Sequence, residues 1–441
     1  MKGRTNVSGG VVLNATSVNC IVEDGNTIVA GDFVQTSYHP TLEENTLPFT
    51  QSTSDYHNTV FTLASKDILQ AFYYIANYPT SYHNIFFYVY NGETLTNLNS
   101  TSIDLGANQK MYSFEFVNVS DSRFIMVATT FYGSTYQTNV FDFSYNTTTG
   151  QIALNNKTQI YSGSANFVNA MLYGTDKLVI WYATTMCLYD LTTNTVIHSI
   201  STSVSNEQPT DNQYKRVPTP KLFLYDTNKF IAIRPYGSSA NYSISNNEIS
   251  EISYNSSGTG TGQYNKVVRV SERVFYAFNA HKSSASGHTS LGYTKYTVNN
   301  DDSISVANFT SSETYAYKKR YPLNISNDAF IIEIDETTIN IAIINDETTT
   351  PAYENIYTFT GGDTSDFVLN VQIEDSSNFR ILFDKVSTGV VYALNCVVAS
   401  GEISVTPNTT YVKEYETRCN GVAKQNGSAG DTISVYIPTN S

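Results

Sequence analysis

Between residues 60 and 405 the chain alternates polar turns with short runs of β-branched and aromatic residues, and this unit recurs seven times. The copies read Asp67-Ile-Leu-Gln-Ala-Phe72, Asp121-Ser-Arg-Phe-Ile125, Asp176-Lys-Leu-Val-Ile180, Asp226-Thr-Asn-Lys-Phe-Ile-Ala-Ile233, Ser271-Glu-Arg-Val-Phe-Tyr276, Asp328-Ala-Phe-Ile-Ile332 and Asp375-Ser-Ser-Asn-Phe-Arg-Ile381. One apolar anchor can be set in each: Leu69, Ile125, Val179, Ile231, Phe275, Ile331 and Ile381. The steps between them are 56, 54, 52, 44, 56 and 50 residues. A period near 50 in an all-β pattern predicts a propeller of about seven four-stranded blades. Helical periodicity is nearly absent.

Further apolar runs fill in the blade, among them Ile85–Tyr90, Val140–Phe143, Met186–Tyr189, Ile339–Ile344 and Val390–Leu394. Turn signals such as Asn91-Gly92, Asn146 to Gly150 and Asn299 to Asp302 follow several of them, as in hairpins. In a four-stranded meander the loops after the second strand all emerge on one face. Here they read 77–84, 131–138, 235–242 and 281–288, and they are rich in Tyr, Ser, Asn and Gly. Such loops on a rigid scaffold suit recognition by aromatic contact and adaptable hydrogen bonds. The candidate binding face is therefore Tyr78, Tyr82, His83, Tyr132, Tyr136, Tyr236, Tyr242, His281 and His288. The same loops also read as tolerated surface of a weakly charged protein.

The ends of the chain follow a different pattern. Residues 18–35 alternate, turn at Asp24-Gly25 and alternate again; residues 417–438 read as strand, Gly-rich turn and strand. Each end is too small to bury a core alone. Together they predict a small β-barrel formed by residues 1–50 and 406–441, with the propeller, 51–405, inserted between them.

Composition narrows the function. Charged residues are 15% of 441, so Ser, Thr, Asn and 34 Tyr must supply the polar surface, beside a single Trp. A formal net charge of -14 argues against nucleic acid, which needs clustered Lys and Arg. Lys318-Lys319-Arg320 reads as a solvated link between blades. No run approaches the ~18 apolar residues of a membrane span, and the first ten residues lack the apolar core of a secretory signal. Cys20, Cys187, Cys396 and Cys419 have no metal-site spacing and read as free thiols. The six His form no zinc motif, so neither metal nor cofactor is expected.

Enzymatic chemistry finds no support. Glycoside hydrolysis needs paired carboxylates, and Asp301-Asp302, Asp335-Glu336 and Asp346-Glu347 look like turns or strand ends. Gly258-Thr-Gly-Thr-Gly262 lacks the Lys and helix of a phosphate loop. No nucleophile elbow or calcium loop is present.

The terminal segments carry a resemblance. Ile28, Ala30 to Val34, Gly421 to Lys424 and Gly427 to Pro438 resemble the ends of structural proteins from tailed phages and prophages of Gram-positive bacteria. The resemblance covers about 60 residues. It implies a non-enzymatic virion component of tail, baseplate or fibre, made in the host cytoplasm and released by lysis. It also implies docking to other virion proteins through Asp32, Phe33, Val34, Gly421, Val422, Gly430 and Asp431. A homo-oligomer, a trimer or a multiple of it, with a propeller contacting a bacterial surface glycan, completes that expectation. The alternative from another class is a stand-alone glycan-binding, lectin-like propeller; a hydrolase is the third.

Overall fold

The computed structural model describes residues 15–22, 27–30, 33–39, 43–46, 56–74, 84–92, 96–104, 109–132, 135–163, 168–206, 222–234, 238–256, 265–279, 292–310, 319–325, 328–334, 338–345, 348, 352–358, 367–373, 377–385, 390–399, 402–405, 409–414, 421–423, 425–428 and 430–438. Among these residues the regular elements are all strands. The chain divides into two compact units, one of residues 1–43 with 405–441 and one of residues 44–404.

The larger unit is a β-propeller. Among the described residues it contains seven successive antiparallel sheets, spanning 56–104, 109–162, 168–206, 222–255, 265–310, 319–358 and 367–405. We call them sheets 1 to 7. Six of them carry four sequential strands in meander order, and sheet 7 also pairs with the short strand Glu43–Thr46. Sheet 3 pairs as three strands, but its middle strand, Lys177–Asp190, is a folded-back pair. Its first half pairs with Val168–Tyr173 and its second half with Thr195–Asn206. Fourteen extended residues would put its ends about 46 Å apart. Yet the Leu191 N–H donates to the Asp176 carbonyl at 2.8 Å. The chain reverses at Ala183, which has φ of 46°.

All seven anchors lie on the second strand of a sheet, and every one is fully buried. Successive residues of a strand point to opposite faces, so each second strand feeds two interfaces. In the strand Arg123–Tyr132, Phe124, Met126 and Ala128 pack with Leu69 and Phe87 of sheet 1. Ile125 and Val127 pack with Leu178 and Ile180 of sheet 3. Equivalent apolar clusters join sheets 3 and 4, 4 and 5, and 5 and 6. Phe330 of sheet 6 stacks on Phe379 of sheet 7 at 6.4 Å. The first strand of sheet 7, Phe367–Ile373, lies beside the first strand of sheet 1, Tyr56–Thr62.

Two local expectations change. Residues 131–138 are not an open loop: the second strand runs to Tyr132 and the third starts at Thr135, opposite it. Gly133-Ser134 leaves just two residues for the connection, so the flanking Tyr and Thr continue the ladder. Lys319 and Arg320 are not a link; they open the first strand of sheet 6.

In the smaller unit five strands pair in closed order: Ala15–Val22, Thr409–Glu414, Phe33–His39, Gly421–Ala423 and Thr432–Pro438. The first of these pairs parallel with Thr409–Glu414 and antiparallel with Thr432–Pro438. Val22, Ile28 and Ile433 are buried. A Cβ on Gly427 would sit 2.4 Å from the Ile433 Cγ2 methyl, so this position admits no side chain.

Ala183 offers a test of the sheet 3 reversal. A left-handed backbone costs an L-residue about 1–2 kcal/mol, and more for a β-branched one. Ala183→Val is expected to lower unfolding free energy by about 1–2 kcal/mol. Ala183→Gly should stay within a few tenths of a kcal/mol of wild type, because relief of strain offsets the added chain entropy. Urea denaturation measures both.

Candidate functional site

The residues expected on a binding face do not share one fate. Tyr78, Tyr82, His83, Tyr236, His281 and His288 lie outside the described residues, and Tyr132 is described as the last residue of its strand. Tyr242 is a core residue: it is fully buried, stacks on Phe230 at 5.2 Å and donates its hydroxyl to Glu251 at 3.1 Å. Burial first, and then the Glu251 carboxylate, push its phenol well above the ordinary tyrosine range. Tyr136 is half-buried near the start of the strand Thr135–Tyr145, and its carbonyl accepts the Gly163 N–H at 2.9 Å.

Around Tyr136 the end of sheet 2 has a composition that sequence alone did not single out. Thr129 and Thr138 face each other in register, and both are fully buried. Neither hydroxyl makes a hydrogen bond within the protein. By strand alternation they lie on the face shared with sheet 3, in line with Ile125, Val127 and Val140. Ser113, opposite Thr129, accepts the Val168 N–H of sheet 3 at 3.1 Å. On the other face the Asn139 amide donates to Thr130 at 2.9 Å, while its Oδ1 is unpaired. Three unpaired buried polar atoms thus gather where the second and third strands connect. Sheet 4 repeats this more weakly, with the Ser239 hydroxyl unpaired beside its own second-to-third-strand connection. Thr62 and Asn118 leave an oxygen unpaired at the opposite end of their sheets, where the Asn118 amide donates to the Thr62 carbonyl at 2.9 Å.

Tyrosines border the hydroxyls at this end. Tyr161, opposite Thr138, is half-buried and its ring lies 4.8 Å from that of Tyr182. Its hydroxyl lies against Gly163, where an added Cβ would sit 2.4 Å away. Beneath them Cys187 is buried, and burial pushes its thiol up to about 12. A ring can stack on Tyr here and exchange hydrogen bonds with the exposed Thr135 and Ser162, while the Thr129 and Thr138 hydroxyls are sealed inside.

Of the candidate carboxylates, Asp301 and Asp302 are occupied structurally. Asp301 holds the Ser303 N–H and hydroxyl at 3.0 and 2.6 Å, which keeps its carboxyl below the usual range. Asp302 accepts Lys229 at 2.6 Å and lies 3.5 Å from Arg273. Asp335, Glu336, Asp346 and Glu347 lie outside the described residues. Among the described residues no group of three His, Cys, Asp or Glu is placed to hold a metal, and no helix is long and apolar enough to cross a membrane.

Of the proposed docking residues, Asp32 lies outside the described residues. Phe33 and Val34 pair with Val422 and Gly421 inside the barrel ladder. Gly430 has φ of 86°, and its N–H donates to the Val22 carbonyl at 2.9 Å. Asp431 accepts the Ser428 N–H at 2.8 Å. Gly430 and Asp431 build a turn.

No protein-family model and no curated protein matches the chain. Solved structures similar to it include a protein from Lactobacillus plantarum, at 11% identity over 79% of this chain and 98% of that one, with a TM-score of 0.44. Saccharomyces cerevisiae Sqt1 is similar at 9% identity over 88% of this chain and 100% of that one, TM-score 0.43. The N-terminal domain of Nup159 is similar at 10% identity over 89% and 100%, TM-score 0.37. At these values the likeness carries no argument about activity.

The virion expectation is corrected here. Among the similar structures, those described are bacterial and yeast proteins, not phage tail or baseplate parts. The Gly-Asp pattern behind the resemblance is accounted for by the hydrogen bonds of one turn. The virion partners, the virion location and the trimer, which rested on virion symmetry, go with it.

Two measurements test the site. Replacing an unpaired buried hydroxyl by a methyl removes a desolvation cost of about 1–3 kcal/mol. Thr129→Val and Thr138→Val are each expected to raise stability by about 1 kcal/mol in urea unfolding. Burial pushes the thiols of Cys187 and Cys396 up to about 12. A thiol-specific disulfide reagent at about pH 8 should therefore leave both unlabelled in the native protein and label both in denaturant, by peptide mass mapping.

Proposed function

We propose that this chain is a non-enzymatic, glycan-binding propeller, lectin-like in action. Its seven sheets act in this reading as seven blades of one ring, carried in the chain between the two halves of the terminal barrel. The observation that carries it is the end of sheet 2, where half-buried Tyr136 and Tyr161 stand on paired strands beside the exposed Thr135 and Ser162. Aromatic rings stack on the apolar faces of sugars, and neighbouring hydroxyls and amides exchange hydrogen bonds with theirs. A formal net charge of -14 favours neutral glycans over acidic ones.

A glycan array followed by calorimetric titration tests this reading. Wild-type protein should bind neutral glycans, and Tyr136→Ala or Tyr161→Ala should weaken binding about tenfold, near 1–2 kcal/mol. An array blank at high protein concentration rules the reading out.

A further inference from the structure

We infer that Arg380 latches the last sheet of the propeller to the first, and that its loss loosens that boundary ahead of the others. The residue just before each anchor is Ile68, Phe124, Leu178, Phe230, Val274, Phe330 and Arg380 in sheets 1 to 7. All seven are buried. Arg380 is the one cation among them. Its Nη1 donates to the Gly92 carbonyl of sheet 1 at 2.7 Å, and its Nε to Asn395 at 2.7 Å.

The connection continues inward. The Gly92 N–H donates to the Asp67 carboxylate at 3.1 Å, and Tyr145 of sheet 2 donates its hydroxyl to the same carboxylate at 2.5 Å. Ser65 adds a third donor at 3.1 Å. Desolvation first, then the adjoining Asp67, push the Tyr145 phenol well above its ordinary range, so it stays a donor. Arg380, Gly92, Asp67 and Tyr145 thus tie sheets 7, 1 and 2 together.

This boundary also differs from the others in the length of chain between its partners. Arg380 and Gly92 are 288 residues apart, whereas other sheet boundaries join consecutive parts of the chain. A guanidinium on a backbone carbonyl is a strong, directional contact that loses its partner abruptly once the gap widens.

Hydrogen exchange by mass spectrometry on the full chain tests the latch. Arg380→Met should raise exchange in 84–92 and 367–373 by about tenfold or more, with sheets 3 to 5 close to wild type. Arg380→Lys, which keeps one donor, should give a smaller rise at the same segments and covers the case in which Arg380→Met does not fold. The control is Arg123→Met, which removes another guanidinium, one that reaches the Leu191 carbonyl of sheet 3 at 3.2 Å. It should loosen the boundary of sheets 2 and 3 and leave 367–373 unchanged. An equal rise across all seven sheets in the Arg380 variants, or an unchanged 84–92, overturns the latch. So does opening of 367–373 by Arg123→Met.

Discussion

A propeller must close, and closure is the constraint on which the rest of this one depends. Each sheet buries two faces, so a sheet at an open end would leave one of them in water. Every anchor buried in this way contributes about 1.5–3 kcal/mol. Most boundaries form between segments about 50 residues apart, but the last joins residues 288 apart. Before the terminal strands pair, closing that loop costs roughly 1.5 kcal/mol more than closing a 50-residue one. The penalty is small beside the apolar surface it lets the first and last sheets cover. Closure is therefore favoured once the sheets exist, and each sheet's stability is borrowed from its two neighbours.

The same constraint made the core legible. A strand buried on both faces reads as a continuous apolar run instead of an alternation. Phe124-Ile-Met-Val-Ala128 and Leu178-Val-Ile-Trp-Tyr182 are such runs, and each is buried throughout. The outermost strands behave otherwise: Asn97–Asp104 and Glu248–Asn255 put most of their residues into partial or full contact with solvent. Their Ser, Thr and Asn supply the polarity that charged residues supply elsewhere, which accounts for a chain with 15% charge. The reversal at Ala183 was not legible, since alanine has no preference for a left-handed backbone.

The site was less legible because it depends on register. Tyr136 and Tyr242 are the same residue type, each read as part of a loop. One is half-buried at the end of its sheet; the other is three residues into a strand, Ser239–Ser245, with Phe230 and Glu251 as partners. Which face a strand residue takes flips with a shift of one position, and sequence does not supply the position. Thr129 and Thr138 are harder still. A buried threonine hydroxyl is ordinary when it is paired, and pairing is a property of neighbours contributed by other strands. Arg380 shows the same limit, because its partners Gly92 and Asn395 lie 288 and 15 residues away.

The terminal segments show how local chemistry can imitate ancestry. Gly430 is glycine because φ of 86° disfavours side chains, and Gly427 because Ile433 and Val22 fill the space beside it. Asp431 is acidic because the Ser428 N–H needs an acceptor, and its own backbone exchanges with Ser428 and Val22. Any barrel that brings a tight hairpin against a strand from the other end of its chain meets these three demands. The flanking Val and Ile follow from the buried side of a short strand. A Gly-x-x-Gly-Asp pattern between β-branched residues thus specifies a turn and its neighbour. It carries no information about what the protein assembles with, and for that reason it pointed to the wrong partner while fitting the fold.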